Sequence, residues 1–142
     1  MLNIINLTID GKPIAQKRHR HTKTGITYDP SATEKKITKR ALKSNITCDY
    51  KIPSKNNPIE VNFVFFFNPN KKESTKKFLE KIKNEDIPYT KKPDLDNLEK
   101  YLLDCMSNII FIDDNQVFSC KSEKYFSINA RTEIEIIIYE EV

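Results

Sequence analysis

The chain opens on an alternation. LNIINLTI places apolar and polar side chains in turn, the period of a strand with one buried face, and DGKP closes it as a turn. IAQKRHRHTKTGITYDP has little apolar periodicity and is read as a loop or loose hairpin. SATEKKITKRALKSN is a helix with a thin apolar face, Ile37, Ala41 and Leu42, with Ser31 or Thr33 as N-cap, Glu34 early and lysines late. IEVNFVFFFNP, β-branched and aromatic up to its proline, is the strongest strand, central and buried. A short lysine-rich helix is expected from about Ser74 to Lys83. A buried helix should begin just after Asp96, with Leu98, Leu102, Cys105, Met106 and Ile109 on one face. IIFI, QVFSCKSEKYFS and RTEIEIIIYEEV read as three closing strands. This order predicts an α+β fold, helices packed on a mixed β-sheet, in a single domain over residues 1–142.

Composition removes several function classes. No apolar stretch approaches a membrane span and the N-terminus has no signal-peptide pattern, so a cytoplasmic protein without a membrane partner is expected. Cys48, Cys105 and Cys120 lack CxxC spacing and read as reduced packing residues. With only Gly11 and Gly25, neither a Walker A loop nor a GxGxxG loop can be built, and a nucleotide cofactor drops out. The net charge of +4 hides an asymmetry: residues 1–93 carry 20 Lys and Arg against 9 Asp and Glu, residues 94–142 carry 4 against 11. The basic part suits a polyanion that the acidic part would repel, unless cations stood between them.

The acidic residues come in two pairs. KKPDLDNLEK sets Asp94 and Asp96 one residue apart, and IDDNQV follows with Asp113 and Asp114. Two unit charges about 5 Å apart repel by about 3 kcal/mol at an effective dielectric near 20, which solvent or a cation must relieve. Pro93 disfavours helix at Lys92, so an extended DLD would face Asp94 and Asp96 one way and Leu95 inward. Lys100 lies one helical turn beyond Asp96. Asp113 and Asp114 would end the IIFI strand, with one of them facing the first pair. Such a convergence of carboxylates is an open site for Mg²⁺ or Mn²⁺. The competing reading makes Asp94 or Asp96 an N-cap and Asp113-Asp114-Asn115 a turn. A calcium loop is excluded, because Glu99 stands where the loop needs glycine.

KKPDLDNLEKYLLDCM followed by FIDDNQV resembles the signature of RusA-type Holliday junction resolvases: DxDN behind basic residues, a lysine one turn on, and a later DD-x-QV. GKPIAQKRHR, ESTKK and KSEKY agree more loosely. The resemblance implies a homodimeric, divalent-metal-dependent endonuclease that nicks branched DNA such as a four-way junction. It places the catalytic and metal-holding aspartates at Asp94, Asp96 and Asp114 and the essential lysine at Lys100, and it leaves the role of Asp113 open. Lys17, Arg18, Arg20 and Lys23 form a candidate DNA-contacting surface with Tyr28, and Lys91 and Lys92 join it beside the motif. His19 and His21, within QKRHRHTK, are read as phosphate contacts rather than metal ligands.

Overall fold

The computed structural model describes residues 3–18 and 20–142, and of Arg20 the backbone alone. Its main sheet has the order β1-β6-β4-β5, with β1 Asn3–Asp10, β4 Ile59–Phe67, β5 Val117–Phe126 and β6 Arg131–Ile138. β6 runs antiparallel to both β1 and β4, whereas β4 and β5 are parallel, so the sheet is mixed. β4 is central, as its composition predicts: Val61, Phe63, Phe65 and Phe67 are buried on a strand with neighbours on both edges. β2 (Arg20–His21) and β3 (Thr27–Tyr28) pair as a separate hairpin, so the basic stretch is the loose hairpin expected of it. Gly25 turns that hairpin at φ +83°, where a side chain would be strained.

Helices α1 (Ala32–Asn45) and α3 (Leu95–Met106) join one core with the sheet, through Leu42, Leu98, Tyr101, Leu102, Cys105 and Met106. The intervening strand residues of β4 and β6 carry polar groups: Asn62 donates to Glu60 at 3.0 Å and to Glu135 at 2.9 Å. α2 (Lys76–Lys81) is capped by Thr75, whose side chain accepts from the Phe78 N–H, and is shorter than the span expected from about Ser74 to Lys83. All three cysteines are free. No helix among the described residues is long and apolar enough to cross a membrane.

Three local expectations are corrected. IIFI is not a strand: after α3 the chain reverses through Asn108 at φ 68°, Ile110 N–H donates to the Met106 carbonyl at 2.8 Å, and Ile109, Ile110 and Phe111 are buried as a turn. A four-residue apolar run carries no periodicity with which to tell the two apart. α3 begins at Leu95 rather than after Asp96, so Leu95, expected to point inward, is exposed on the first turn. On α1, Ile37 is exposed, and Thr38 takes its place in the interior with a 2.8 Å hydrogen bond to the Tyr101 hydroxyl.

Candidate active site

The DLD segment lies on the entry to α3. Asp94 is the N-cap residue with extended backbone (φ −71°, ψ 147°), and its carbonyl accepts the first helical bond, from Leu98 N–H at 3.2 Å. Its carboxylate makes no capping bond. Asp96 stands in the first turn and Lys100 one turn later, all three exposed. No hydrogen bond or ion pair ties Asp94, Asp96 or Lys100 to another described side chain, and Lys100 does not pair with Asp96. A helix N-terminus favours negative charge, so the position tolerates both carboxylates while leaving them open to a ligand.

The basic N-terminal segment meets this helix entry. Gln16 N–H donates to the Asn97 carbonyl at 3.0 Å, and Lys17 N–H donates to Ser31 Oγ at 3.3 Å. The Lys17 ammonium pairs with Glu34 at 2.9 Å, and Arg18 is exposed beside it. Asp29 anchors the base of the hairpin. It accepts from the Lys35 ammonium at 2.6 Å and from Ser31 N–H at 2.8 Å, and these bonds lower its pKa to about 2. Burial opposes the charge on Lys35, but Asp29 and Asp104 outweigh it and leave its pKa raised. Lys23 and His21 are exposed on the hairpin, with His21 Nδ1 bonded to Thr27 Oγ1 at 2.8 Å. His19 and the Arg20 side chain lie outside the described residues. Lys91 pairs with Glu73 at 2.5 Å, and Lys92 is exposed.

The second acidic pair is built differently. Asp113 caps a 3₁₀ turn, Asp114–Gln116: its carboxylate accepts from Asn115 N–H at 2.9 Å, and Gln116 completes a reciprocal capping box. That N–H, together with a hydrogen bond from Asp114, holds the Asp113 carboxyl below its usual range. Asp114 is pushed up, first by the hydrogen bond with Asp113, then by burial and by the charges of Asp113 and Asp104. The smallest of these upward influences comes from Asp104, near the C-terminal end of α3. Asp104 lies eight residues beyond Asp96, about 12 Å of helix rise. The structure therefore brings Asp94, Asp96, Lys100 and the basic segment together, and Asp114 does not group with them as a three-carboxylate site among the described residues. Among the described residues, no three His, Cys, Asp or Glu side chains group as a metal site.

A family model for the endodeoxyribonuclease RusA matches residues 10–137. The chain belongs to the RusA endodeoxyribonuclease family. This RusA-family chain is also 27% identical over 137 residues to the uncharacterized protein YqaN of Bacillus subtilis (strain 168), covering 95% of this chain and 96% of that one. The family is one of nucleases acting on DNA, and the fold of helices on a mixed sheet agrees with the membership.

Two residues of this RusA-family chain went unread in the sequence. Gln116 is buried and organises the second acidic turn, donating to the Ser54 and Asn57 carbonyls and accepting from Ile112 and Asp113 N–H. The D-x-x-Q spacing of a capping box was its available signal. Lys124 donates to the carbonyls of Lys91 and Pro93, just ahead of Asp94, and no local pattern announces it.

Proposed function

We propose that the chain is a Mg²⁺-dependent endonuclease that resolves Holliday junctions by paired phosphodiester hydrolysis, acting as a homodimer in DNA recombination and repair in the cytoplasm. The observation that carries this reading is Asp94, which holds an N-cap position without a capping bond and whose carboxylate, beside Asp96, has no partner among the described side chains. The donor chemistry fits the ion. Mg²⁺ is commonly held by one or two carboxylates, with water and phosphate oxygens completing its shell; Mn²⁺ fits the same donors. When bound, it would activate a water and take charge from the phosphate. Lys100 stands where its ammonium can neutralise charge developing on that phosphate. Lys17, Arg18, Arg20 and Lys23, with Lys91 and Lys92, hold the DNA backbone.

Symmetrical cuts on a four-way junction require two sites related by a twofold axis, most simply a homodimer. The placement of Asp114 adds a second reason. Among the described residues no three acidic side chains group within one chain, and we infer that a dimer lets the Asp114 of one chain serve the acidic pair of the other. The deciding experiment incubates the protein and Mg²⁺ with a synthetic four-way junction beside a linear duplex of matched sequence. Paired nicks confined to the junction support the reading. Equal cutting of both substrates would make the protein a nuclease without junction selectivity, and binding without cutting would make it a noncatalytic module.

A further inference from the structure

The outer edge of β5 has no strand partner in the main sheet, yet it is not bare. Residues 87–89 run along it: Phe126 N–H donates to the Ile87 carbonyl at 2.9 Å, Tyr89 N–H donates to the Lys124 carbonyl at 3.0 Å, and Pro88 bridges Tyr125 in antiparallel sense. The chain then leaves the strand for the entry to α3 through Lys91, Lys92 and Pro93. These residues belong to no helix or strand, so their carbonyls need partners from outside regular structure. The Lys124 ammonium supplies two. It donates to the Lys91 carbonyl and to the Pro93 carbonyl, each at 2.7 Å, while the Tyr89 ring lies 5.7 Å from it. Tyr89 is itself fixed by stacking on Phe67 at 4.3 Å and by the edge of Phe126 at 4.9 Å. The next residue after Pro93 is Asp94.

We propose that Lys124 is a positioning residue of the carboxylate site: its ammonium clamps the Lys91–Pro93 segment so that Asp94 stands at the helix entry with its carboxylate uncommitted. This rests on reading Asp94 and Asp96 as the site that cuts. Lys124 touches backbone rather than the reacting atoms, and its neighbours do not share the task. The Lys91 ammonium is turned to Glu73, and Lys121 is exposed and pairs with Glu123. Methionine at 124 would keep most of the apolar stem but donate nothing, leaving two carbonyls to find water and freeing the segment. Arginine carries donors in a fork able to reach both carbonyls.

The test compares Lys124→Met, Lys124→Arg and the control Lys121→Met. Lys124→Met should slow single-turnover junction nicking by about a hundredfold, the cost of displacing a catalytic group by roughly 1 Å. It should also raise the Mn²⁺ midpoint read by electron paramagnetic resonance, and speed amide exchange over residues 98–101 while β4 keeps its protection. Lys124→Arg should recover most of each, and Lys121→Met should match the parent. Parental exchange and Mn²⁺ midpoint in Lys124→Met would overturn the proposal, as would exchange that quickens equally in β4 and α3. A parent that fails to nick would sink the cutting reading instead, and the exchange measurement would still judge Lys124.

Discussion

Asp94 and Asp113 occupy the same station, the residue before the first turn of a helical segment, and use it in opposite ways. Asp113 accepts the N–H two residues on and shares a capping box with Gln116, which is tied in turn to the loop carbonyls of Ser54 and Asn57. Its charge is spent on structure. Asp94 has the backbone of a cap and no side-chain capping bond, so the helix forgoes that stabilisation and the carboxylate meets no partner among the described side chains. Natural sequences give up local stability chiefly where function requires it. Position in a motif therefore says where a carboxylate is, and bonding says whether it is free to act.

The contrast is broken most sharply by exchanging the two outcomes. Asp94→Ala and Asp96→Asn should each cut junction nicking by at least about a hundredfold, the scale of losing one preorganised charge-stabilising group, with thermal midpoint and junction binding kept. A fall in midpoint for Asp94→Ala with nicking intact would return Asp94 to a structural role. The next largest effect is a recovery. Asp96→Asn and Asp114→Asn chains, each silent alone, should regain nicking when mixed as dimers, because one composite site in each mixed dimer is whole. Silence in the mixture would mean that Asp114 does not serve a partner chain.

Smaller effects sharpen the structural side. Asp113→Ala should lower the thermal midpoint by a few degrees through loss of the cap and leave the nicking rate at saturating Mg²⁺ near the parent's. A large loss of nicking without loss of stability would move Asp113 into the site. The smallest effect is in pH. The folded pKa of Asp114 is raised, so its contribution to stability is whole below the unfolded carboxylate value and is lost as pH rises through the folded one. Asp114→Asn should therefore raise the thermal midpoint at pH 7 in the presence of a chelator, and the gain should vanish below a pH of about 4. An equal gain at both ends would show that charge is not its source.

Much of this was legible in the chain because the signals were local. The β-branched and aromatic run at 59–67 can be little but a central strand, and apolar spacing marks the buried face of α3 from Leu98 to Met106. The DxD spacing located the first acidic pair, but its expected extended form failed, because Asp94 itself is the last non-helical residue and the turn starts at Leu95. Residues 109–112 failed for want of length: four apolar side chains bury equally well in a turn. What could not be read is bonding across the chain. Lys124 reaches carbonyls 31 and 33 residues away, and Gln116 reaches carbonyls 59 and 62 residues away, contacts that depend on how β5 is laid against its neighbours. That Asp114 does not group with the first pair among the described residues is likewise invisible in the spacing of the two motifs.

The parallel pairing of β4 with β5 carries a consequence for how the molecule is made. A parallel pair needs a crossover, and here the crossover is the whole of residues 68–116, both acidic pairs included. Contacts of such long sequence separation are slow to form, since the closure entropy comes due before the pairing rewards it. Until β5 docks, the Lys124 ammonium is not held against the carbonyls of Lys91 and Pro93. The chain should therefore acquire its cutting geometry in the same kinetic step as its slowest strand pairing, so that a half-folded molecule is an inert one. Pulse-labelled amide exchange during refolding should find β5 and the first turns of α3 becoming protected together.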